Sequence, residues 1–154
     1  MNWISSIRTF PLSLTLLAPM LALPAMAALG GDVASVQKDA AQFRAEIRST
    51  QKSGYAVHEM QTSGGTLVRE YVSPAGKVFA VAWQGPFIPD LQQLLGPSYE
   101  RFIAAGKNRH GVRGPLGINE SDLVLVSAGH MRSYTGKAYI PQMLPEGVHA
   151  DAIQ

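Results

Sequence analysis

The chain contains no cysteine in its 154 residues. Disulfide bonds, a thiol nucleophile and lipid attachment through cysteine are therefore excluded, and the folded state depends on its packed core alone. A strong excess of charge of one sign is also absent, because 13 Lys and Arg oppose 11 Asp and Glu. This balance is not typical of nucleic-acid-binding proteins, so we expect no nucleic-acid partner.

Long hydrophobic runs are absent except for one near the N-terminus, over residues 10–23. This run is about 14 residues long and is interrupted by prolines, whereas a bilayer-spanning helix needs about 20 apolar residues. Arg8 precedes the run and an Ala-x-Ala pattern ends at Ala27, which is typical of a secretory signal peptide rather than of a membrane anchor. We expect cleavage between Ala27 and Ala28.

Cleavage there removes residues 1–27 and leaves residues 28–154 as a single exported domain, located in the periplasm or outside the cell. The loss of Arg8 lowers the formal charge from +2 by one. No later stretch is apolar over about 20 residues, so we expect no membrane span after cleavage. The remaining chain has room for one modest core.

The clearest structural signal is a hairpin over residues 68–83, in which two β-rich runs flank a Ser-Pro-Ala-Gly turn. Pro74 presets its own φ, and Gly76 can adopt the positive φ that closes a three-residue loop. The predicted register pairs Val72 with Val78, Tyr71 with Phe79, Glu70 with Ala80, Arg69 with Val81, and Val68 with Ala82. Both faces are largely apolar, so we expect this hairpin at the centre of the fold, covered on both sides.

An amphipathic helix is predicted over residues 33–49, because apolar residues recur there at steps of three and four after an aspartate N-cap. The charged residues on its other face, which we expect to be solvated, are Lys38, Asp39, Arg44, Glu46 and Arg48. We expect the helix to pack on the hairpin face of Val68, Ala80 and Ala82, since alanine allows close approach, and not on the face of Trp83.

A strand over residues 55–61 precedes the hairpin and is followed by a turn over residues 62–65. We interpret this turn as a second three-residue loop, with Gly65 at positive φ. The register then pairs Met60 with Val68, Glu59 with Arg69, His58 with Glu70, and Val57 with Tyr71. Other loop lengths place like or potentially like charges opposite each other, which is unfavourable.

Two short helices are predicted beyond the hairpin, over residues 91–95 with Asp90 as N-cap and over residues 98–105. Together with the C-terminal strands, these elements indicate an α+β domain. Its architecture is an N-terminal amphipathic helix packed on an antiparallel β-meander sheet, with two short helices and a C-terminal β-hairpin.

The C-terminal hairpin begins with residues 122–127, which are too continuously apolar for a half-exposed strand and are therefore expected to be buried. We expect this strand to continue through a bulge at Gly129 and the chain to turn at Thr135-Gly136. It then returns over residues 137–140. A turn at residues 128–130 is the alternative. The tail from residue 142 onward is expected to be loop.

Proton transfer is the chemistry best suited to His58 and Glu70, which the predicted register places side by side on an otherwise aliphatic face. An imidazole beside a carboxylate can act as an acid–base pair, so these two residues are the catalytic candidates. The competing interpretation is a structural ion pair that satisfies two half-buried groups. The four histidines are dispersed along the chain, so we expect no metal site and no cofactor.

A glycine-rich basic loop over residues 106–115 is a candidate ligand-binding site. Its cationic or titratable side chains are Lys107, Arg109, His110 and Arg113. With backbone N–H groups exposed at the glycines, they can bind an anion such as phosphate, a lipid headgroup or an acidic polymer. The loop is not a P-loop, because Arg101 and Asn108 occupy positions where that motif needs glycine and Ser or Thr. The competing interpretation is a solvated loop without a ligand.

Several motifs of the mature chain occur together: the start at Ala28-Leu29-Gly30-Gly31, residues 68–86 with their Arg-Glu-Tyr-Val-Ser-Pro-Ala-Gly core, Gly129-His130-Met131-Arg132, and residues 136–141 followed by Leu144-Pro145. In these motifs the chain resembles a family of small exported proteobacterial proteins that is classed as a domain of unknown function. The resemblance implies export and a single domain, and it brings no activity, substrate or catalytic residue. A fold-level likeness to cystatin-like and peptidase-propeptide-like domains, which bind or inhibit, is an analogy only.

The sequence therefore favours a non-enzymatic exported protein that acts as a binding, inhibitory or accessory module of the cell envelope. The candidate partners are an envelope protein or an anionic ligand. The alternative is a small hydrolase or transferase that uses His58 with Glu70. A deep pocket containing both side chains would favour the enzyme, whereas a filled core beneath them would favour the binding module.

Overall fold

A computed structural model describes residues 29–109 and 114–154. Its strands are β1 (Ile47–Lys52), β2 (Tyr55–Gln61), β3 (Leu67–Val72), β4 (Val78–Gly85), β5 (Leu116–Asn119), β6 (Val124–His130) and β7 (Ser133–Tyr139). Its α-helices are α1 (Val33–Phe43), α2 (Leu91–Leu95) and α3 (Tyr99–Lys107). The strands form one antiparallel seven-stranded sheet in the order β1-β2-β3-β4-β7-β6-β5. The predicted α+β class with an antiparallel sheet is confirmed.

The predicted central hairpin is β3–β4, and β4 is the middle strand of the sheet. One face of the sheet packs against the three α-helices, and we call it the helix face; Val68, Val81 and Trp83 belong to its core. The other face is covered by the C-terminal tail, residues 141–154, and we call it the tail face; Phe79 and Ile153 belong to its core. The hairpin is therefore covered on both sides, as predicted.

Helix α1 ends at Phe43, so the prediction of a helix over residues 33–49 was wrong in its last part. Arg44 adopts the left-handed conformation (φ 52°) and donates its N–H to the Ala41 carbonyl. Ala45 donates to the Ala40 carbonyl, which completes a Schellman C-cap. The residues that follow lead into β1, an exposed edge strand that contains Arg48, which was expected on the solvated face of the helix.

Both loops that flank β3 have the predicted three-residue geometry. The Thr62 N–H donates to the Thr66 carbonyl, and the Ser73 N–H donates to the Lys77 carbonyl, each at 2.8 Å. The last loop residues, Gly65 and Gly76, have φ of 85° and 73°. The β2–β3 register is confirmed at every predicted pair.

The β3–β4 register is wrong beyond its first pair. Val72 pairs with Val78 as predicted, but a register shift follows, so that Tyr71 is opposite Ala80 rather than Phe79. Phe79 and Ala80 consequently both belong to the core of the tail face. The cause is one extra residue in β4, a β-bulge that the alternation of side chains does not reveal because both faces are apolar.

Because of the bulge, the side chains of β4 after Phe79 lie on the faces opposite to those predicted. Val81 and Trp83 lie on the helix face with Val68, whereas Ala80 and Ala82 lie on the tail face. The prediction that α1 packs on Ala80 and Ala82 was therefore wrong. The helices instead cover the large side chains Val81 and Trp83.

The short helices α2 and α3 are confirmed, with a 3₁₀ turn over Gly96–Ser98 between them. Asp90 caps α2 as predicted, because its side chain accepts a hydrogen bond of 3.0 Å from the Gln93 N–H. Helix α3 begins one residue later and ends two residues later than predicted, at Tyr99 and Lys107.

The C-terminal hairpin turns at Met131 and Arg132, so both predicted turn positions were wrong. Gly136 lies within β7, paired with Trp83 of β4 and Ser127 of β6. A Cβ at this glycine would overlap the Trp83 indole ring. Gly136 therefore accommodates a buried ring inside the sheet and does not form a turn.

Strand β6 is half-exposed, which corrects the expectation that residues 122–127 are buried as a block. Leu125 is 0% exposed, whereas its neighbour Val126 is 40% exposed. The short edge strand β5 pairs with β6 and was not predicted.

The tail contains only 3₁₀ turns, at Pro141–Met143 and Ala150–Ala152, as expected of a loop-like segment. It is nevertheless fastened to the sheet. Lys137 Nζ donates to the carbonyl oxygens of Ala150 (3.0 Å) and Ile153 (2.9 Å). The Tyr71 hydroxyl donates to the Gln154 carbonyl oxygen at 2.9 Å.

Candidate functional site

His58 on β2 and Glu70 on β3 are directly opposite each other, as predicted. Both follow the alternation of Met60 and Val68, which lie in the core of the helix face, so both belong to that face. Helix α1 packs on the same face and makes the environments of the two side chains different.

The His58 imidazole is partly buried and bonds away from Glu70. Its Nδ1 lies 2.8 Å from Oγ of Ser49, the residue opposite it on β1. It lines an open groove of about 330 Å³ that also includes Val33 and Pro74. Partial burial lowers the pKa of His58, because desolvation disfavours the imidazolium.

The Glu70 carboxyl is sealed beneath α1. Its side chain is 0% exposed and lies near the equally buried Asp39 of α1. Nε2 of Gln93 on α2 donates to Asp39 Oδ1. Apart from the contact with Asp39, neither oxygen of Glu70 has a hydrogen-bond partner among the described residues.

Burial raises the pKa of both carboxyl groups. Burial, followed by the neighbouring Asp39 carboxyl group, raises the pKa of Glu70 to about 9. Burial also raises the pKa of Asp39, although Gln93 donates a hydrogen bond to it. Glu70 is therefore protonated at neutral pH, which is the usual result when two carboxyl groups are held together without a cation.

Asp39 and Gln93 belong to this cluster although neither was predicted to lie near Glu70. The assignment of Asp39 to the solvated face of the first helix was wrong, because the residue is fully buried. Its position three residues after Val36, on the margin of the apolar stripe, is the signal that could have placed it. Gln93 gives no comparable signal, since its contact depends on how α2 packs beside α1.

The basic loop is only partly described by the structure. Lys107 is the exposed last residue of α3, and Arg109 Nη1 donates to the Gly114 carbonyl oxygen at 3.0 Å. His110 and Arg113 lie outside the described residues. The anion site stays a prediction.

The predicted cleavage residues, Ala27 and Ala28, also lie outside the described residues. Leu29, the next residue, is buried in the core of the helix face. Its N–H donates to the Leu94 carbonyl oxygen at 3.2 Å, so it is tied to α2.

Two further grooves flank the end of the tail. One, of about 320 Å³, includes the Glu59–Arg69 ion pair, in which Oε1 and Nε are 2.8 Å apart. The other, of about 330 Å³, lies over β6 and β7 and includes Val126 and Ala128. Both are open surfaces suited to contact with a partner.

The part of the chain that the structure describes contains no group of three or more His, Asp or Glu residues placed to hold a metal ion. No helix over residues 29–109 and 114–154 has both the length and the hydropathy needed to cross a membrane.

Comparison with known proteins identifies a family. The family described as "Protein of unknown function (DUF2844)" matches residues 25–153, a range that includes every described helix and strand. No curated protein and no solved structure matches the chain. The resemblance to a domain-of-unknown-function family is thereby confirmed, and the chain belongs to the DUF2844 family.

Proposed function

We propose that this protein is exported and acts as a non-enzymatic binding, inhibitory or accessory module of the cell envelope, in the periplasm or outside the cell. The N-terminal pattern from Arg8 to Ala27 supports export. The burial of Leu29 supports the same cleavage point, since cutting after Ala27 would leave a single residue ahead of the packed core.

The observation that carries the non-enzymatic part of the proposal is the filled core around Glu70. A proton-transfer group must come within hydrogen-bond distance of its substrate, and Glu70 cannot do so while α1 covers it. His58 meanwhile bonds to Ser49. A hydrolase or transferase that uses His58 with Glu70 is therefore the weaker alternative.

The edge of the sheet supports a binding role. Strand β1 is an edge strand in which every residue after Ile47 is exposed. Its outer backbone groups are available to a partner, and open grooves lie beside it on both faces of the sheet.

A pull-down with the tagged full chain from cell-envelope extract tests the proposal. We expect one partner at a stoichiometric amount, and we expect His58→Ala to capture it equally well. Turnover of model ester, phosphate or peptide substrates that His58→Ala abolishes, at an unchanged melting temperature, would favour the enzyme instead.

Export has its own test. Mass spectrometry of protein from the periplasm or medium is expected to show Ala28 at the N-terminus, and Ala27→Pro is expected to leave an uncleaved precursor at the membrane. Recovery of the full-length chain from the cytosol would contradict the proposed location.

A further inference from the structure

Three loops lie together at one end of the sheet. The β2–β3 loop follows the pair Gln61 and Leu67, and Leu67 is opposite Gln84 near the end of β4. The loop after β4 follows Gly85, which is opposite Tyr134 next to the β6–β7 turn. We call this the loop end of the sheet. Because neighbouring strands are about 5 Å apart, the loop after β4 and the β6–β7 turn lie within about 10 Å of each other.

The loop end carries an unusual share of exposed apolar side chains. Among the described residues, five large apolar side chains are strongly exposed, and three of them lie here: Phe87 (53%), Ile88 (53%) and Met131 (89%). All three are at loop tips, beyond the last paired residues of β4, β6 and β7. These three side chains are therefore exposed at the end of the sheet, away from the core.

The backbone holds the tip at Phe87 in place. Thr66 Oγ1 donates to the Phe87 carbonyl oxygen at 2.7 Å and accepts the Phe87 N–H at 3.3 Å. The Phe87 ring lies against Gly64, where an added Cβ would come within 3.1 Å of it. An apolar tip fixed in this way loses little conformational freedom when it contacts a partner.

Two exposed cationic side chains lie toward this end of the sheet. Arg132 is exposed beside Met131, and Lys107 is exposed where α3 ends, next to the start of β5 at the same end. Among the described residues neither forms a salt bridge. At the opposite end of the sheet two cations are paired, Lys77 with Asp32 and Arg101 with Asp122, whereas Lys52 is not paired in the part of the chain that the structure describes.

We propose that the loop end binds the surface of an anionic lipid bilayer. Apolar side chains on loop tips fit the boundary between headgroups and acyl chains, and cations around them fit lipid phosphates. A soluble polyanion would use the cations and leave the apolar tips exposed. Glu46 and Asp90 also lie at this end, and Asp90 is engaged in capping α2. The inference rests on the proposed export, which would bring the protein to an envelope membrane.

Co-sedimentation of the purified protein with vesicles tests this inference. The full chain is expressed, its N-terminus is determined, and binding is compared on phosphatidylcholine vesicles with and without phosphatidylglycerol. We expect binding only with phosphatidylglycerol, weakened at high salt because the headgroup charge is screened. We expect Phe87→Trp to show a blue shift in fluorescence on the same vesicles, in protein from which Trp3 has been removed by cleavage after Ala27, since the other native tryptophan, Trp83, is buried.

Matched variants identify the surface. Met131→Ser, together with Phe87→Ser, is expected to weaken binding at least tenfold, whereas Val33→Ser removes an exposed apolar side chain at the opposite end and is expected to leave binding unchanged. Arg132→Glu changes the charge by two units and is expected to weaken binding about 25-fold, at about fivefold for each unit of surface charge. Its control is Lys38→Glu on the outer side of α1.

The opposing outcomes are equally specific. The proposal that the loop end binds an anionic bilayer would be overturned by equal binding to neutral and anionic vesicles or by no binding to either. Equal losses in the control variants would also overturn it. Competition by soluble glycerophosphate or heparin at a matched concentration of anionic groups would indicate a soluble anion or polyanion site instead. Each of these results leaves the export test and the pull-down untouched, so the proposed function is judged separately.

Discussion

The two faces of the sheet handle buried polar groups in opposite ways. On the helix face, Glu70 and Asp39 are buried against each other with no cation among the described residues, and the pKa of both is raised. On the tail face, the Tyr71 hydroxyl and the Lys137 amine both bond to the backbone of the tail. Satisfied polar groups cost little, whereas a buried carboxyl pair lowers stability where one of its members should ionise.

This contrast indicates different roles for the two coverings. The helices close a deep core and exclude water from it, so their packing is tied to the stability of the whole domain. The tail is held by a few apolar contacts around Ile153 and by polar contacts at its end. Such a segment can open locally while the sheet stays folded.

The largest expected effects come from shortening one buried side chain on each face. Leu94→Ala on the helix face and Ile153→Ala on the tail face both remove buried methyl groups, from side chains that are 0% and 1% exposed. Substitutions of this kind lower the free energy of unfolding by about 2–5 kcal/mol. We expect Leu94→Ala at the upper end and Ile153→Ala at the lower end, measured by chemical denaturation.

Hydrogen exchange separates the two cases further. In Ile153→Ala the amides of the tail are expected to lose protection while those of β3 and β4 keep most of theirs. In Leu94→Ala all of these amides are expected to lose protection together. Uniform loss of protection in both variants would show that the tail is not a separate unit and would remove the contrast between the faces.

Glu70→Gln is expected to stabilise the protein at neutral pH, by an amount that grows with pH. Folding raises the pKa of Glu70 from 4.5 to about 9, so between these values the folded state holds a proton that the unfolded chain releases. Stability therefore falls as pH rises through this window, by about 1.4 kcal/mol per unit for one group. Glutamine keeps a donor for Asp39 and does not titrate, so the expected gain is about 3 kcal/mol at pH 7.

Thermal melts between pH 4 and pH 8 measure this difference. The two proteins are expected to converge at the acidic end, where Glu70 is protonated in both the folded and the unfolded state. The matched control is Glu46→Gln, an exposed substitution expected to change stability by no more than about 0.5 kcal/mol. A constant difference between Glu70→Gln and the native protein across the range would mean that folding does not raise the pKa of Glu70.

Substitutions in the β3–β4 loop, which lies at one end of the sheet between the two faces, are expected to have an intermediate effect on stability. Gly76 has φ of 73°, and a Cβ there would make only an ordinary contact of 3.8 Å with Val33. Gly76→Val is therefore expected to cost about 1–3 kcal/mol from backbone strain alone. Pro74→Ala is expected to cost about 0.4–1 kcal/mol, because it mainly frees the unfolded chain. Equal melting temperatures for the two variants would contradict the strain at Gly76.

The two hairpins around β3 show how far the sequence determines the sheet. Both loops were predictable, because a glycine at the last loop position provides the positive φ that the geometry requires. The β2–β3 register followed directly. The β3–β4 register could not be predicted beyond its first pair, because the bulge at Phe79 reverses the alternation of side chains in β4. This strand is buried on both faces, so its sequence does not show which side chains point to which face.

The edges and the candidate site were harder to predict for other physical reasons. Strand β1 is polar along its length, so its strand character comes from pairing with β2 rather than from a hydrophobic pattern. The margin of the apolar stripe could have placed Asp39 next to the core, but its approach to Glu70 depends on how α1 packs on the sheet, which no local pattern contains. The opposition of His58 and Glu70 was predicted from the register, whereas the separation of their side chains depends on the helix above them.

The smallest expected effect concerns the polar attachment of the tail. Lys137→Met keeps the length of the side chain and removes the ammonium that bonds to the carbonyl oxygens of Ala150 and Ile153. Hydrogen bonds to a charged group contribute about 1.5–3 kcal/mol when they are buried. Lys137 is only partly buried, so water can replace part of this interaction, and we expect a loss on the order of 1 kcal/mol.

Hydrogen exchange in the tail is the measurement for Lys137→Met, with the exposed substitution Lys52→Met as its control. We expect faster exchange in the tail only for Lys137→Met, and an unchanged core in both variants. A loss as large as that of Ile153→Ala would mean that the ammonium, and not the apolar contact of Ile153, holds the tail on the sheet. Unchanged exchange would mean that the apolar contacts alone hold it, and the polar attachment that distinguishes the tail face from the helix face would have no energetic role.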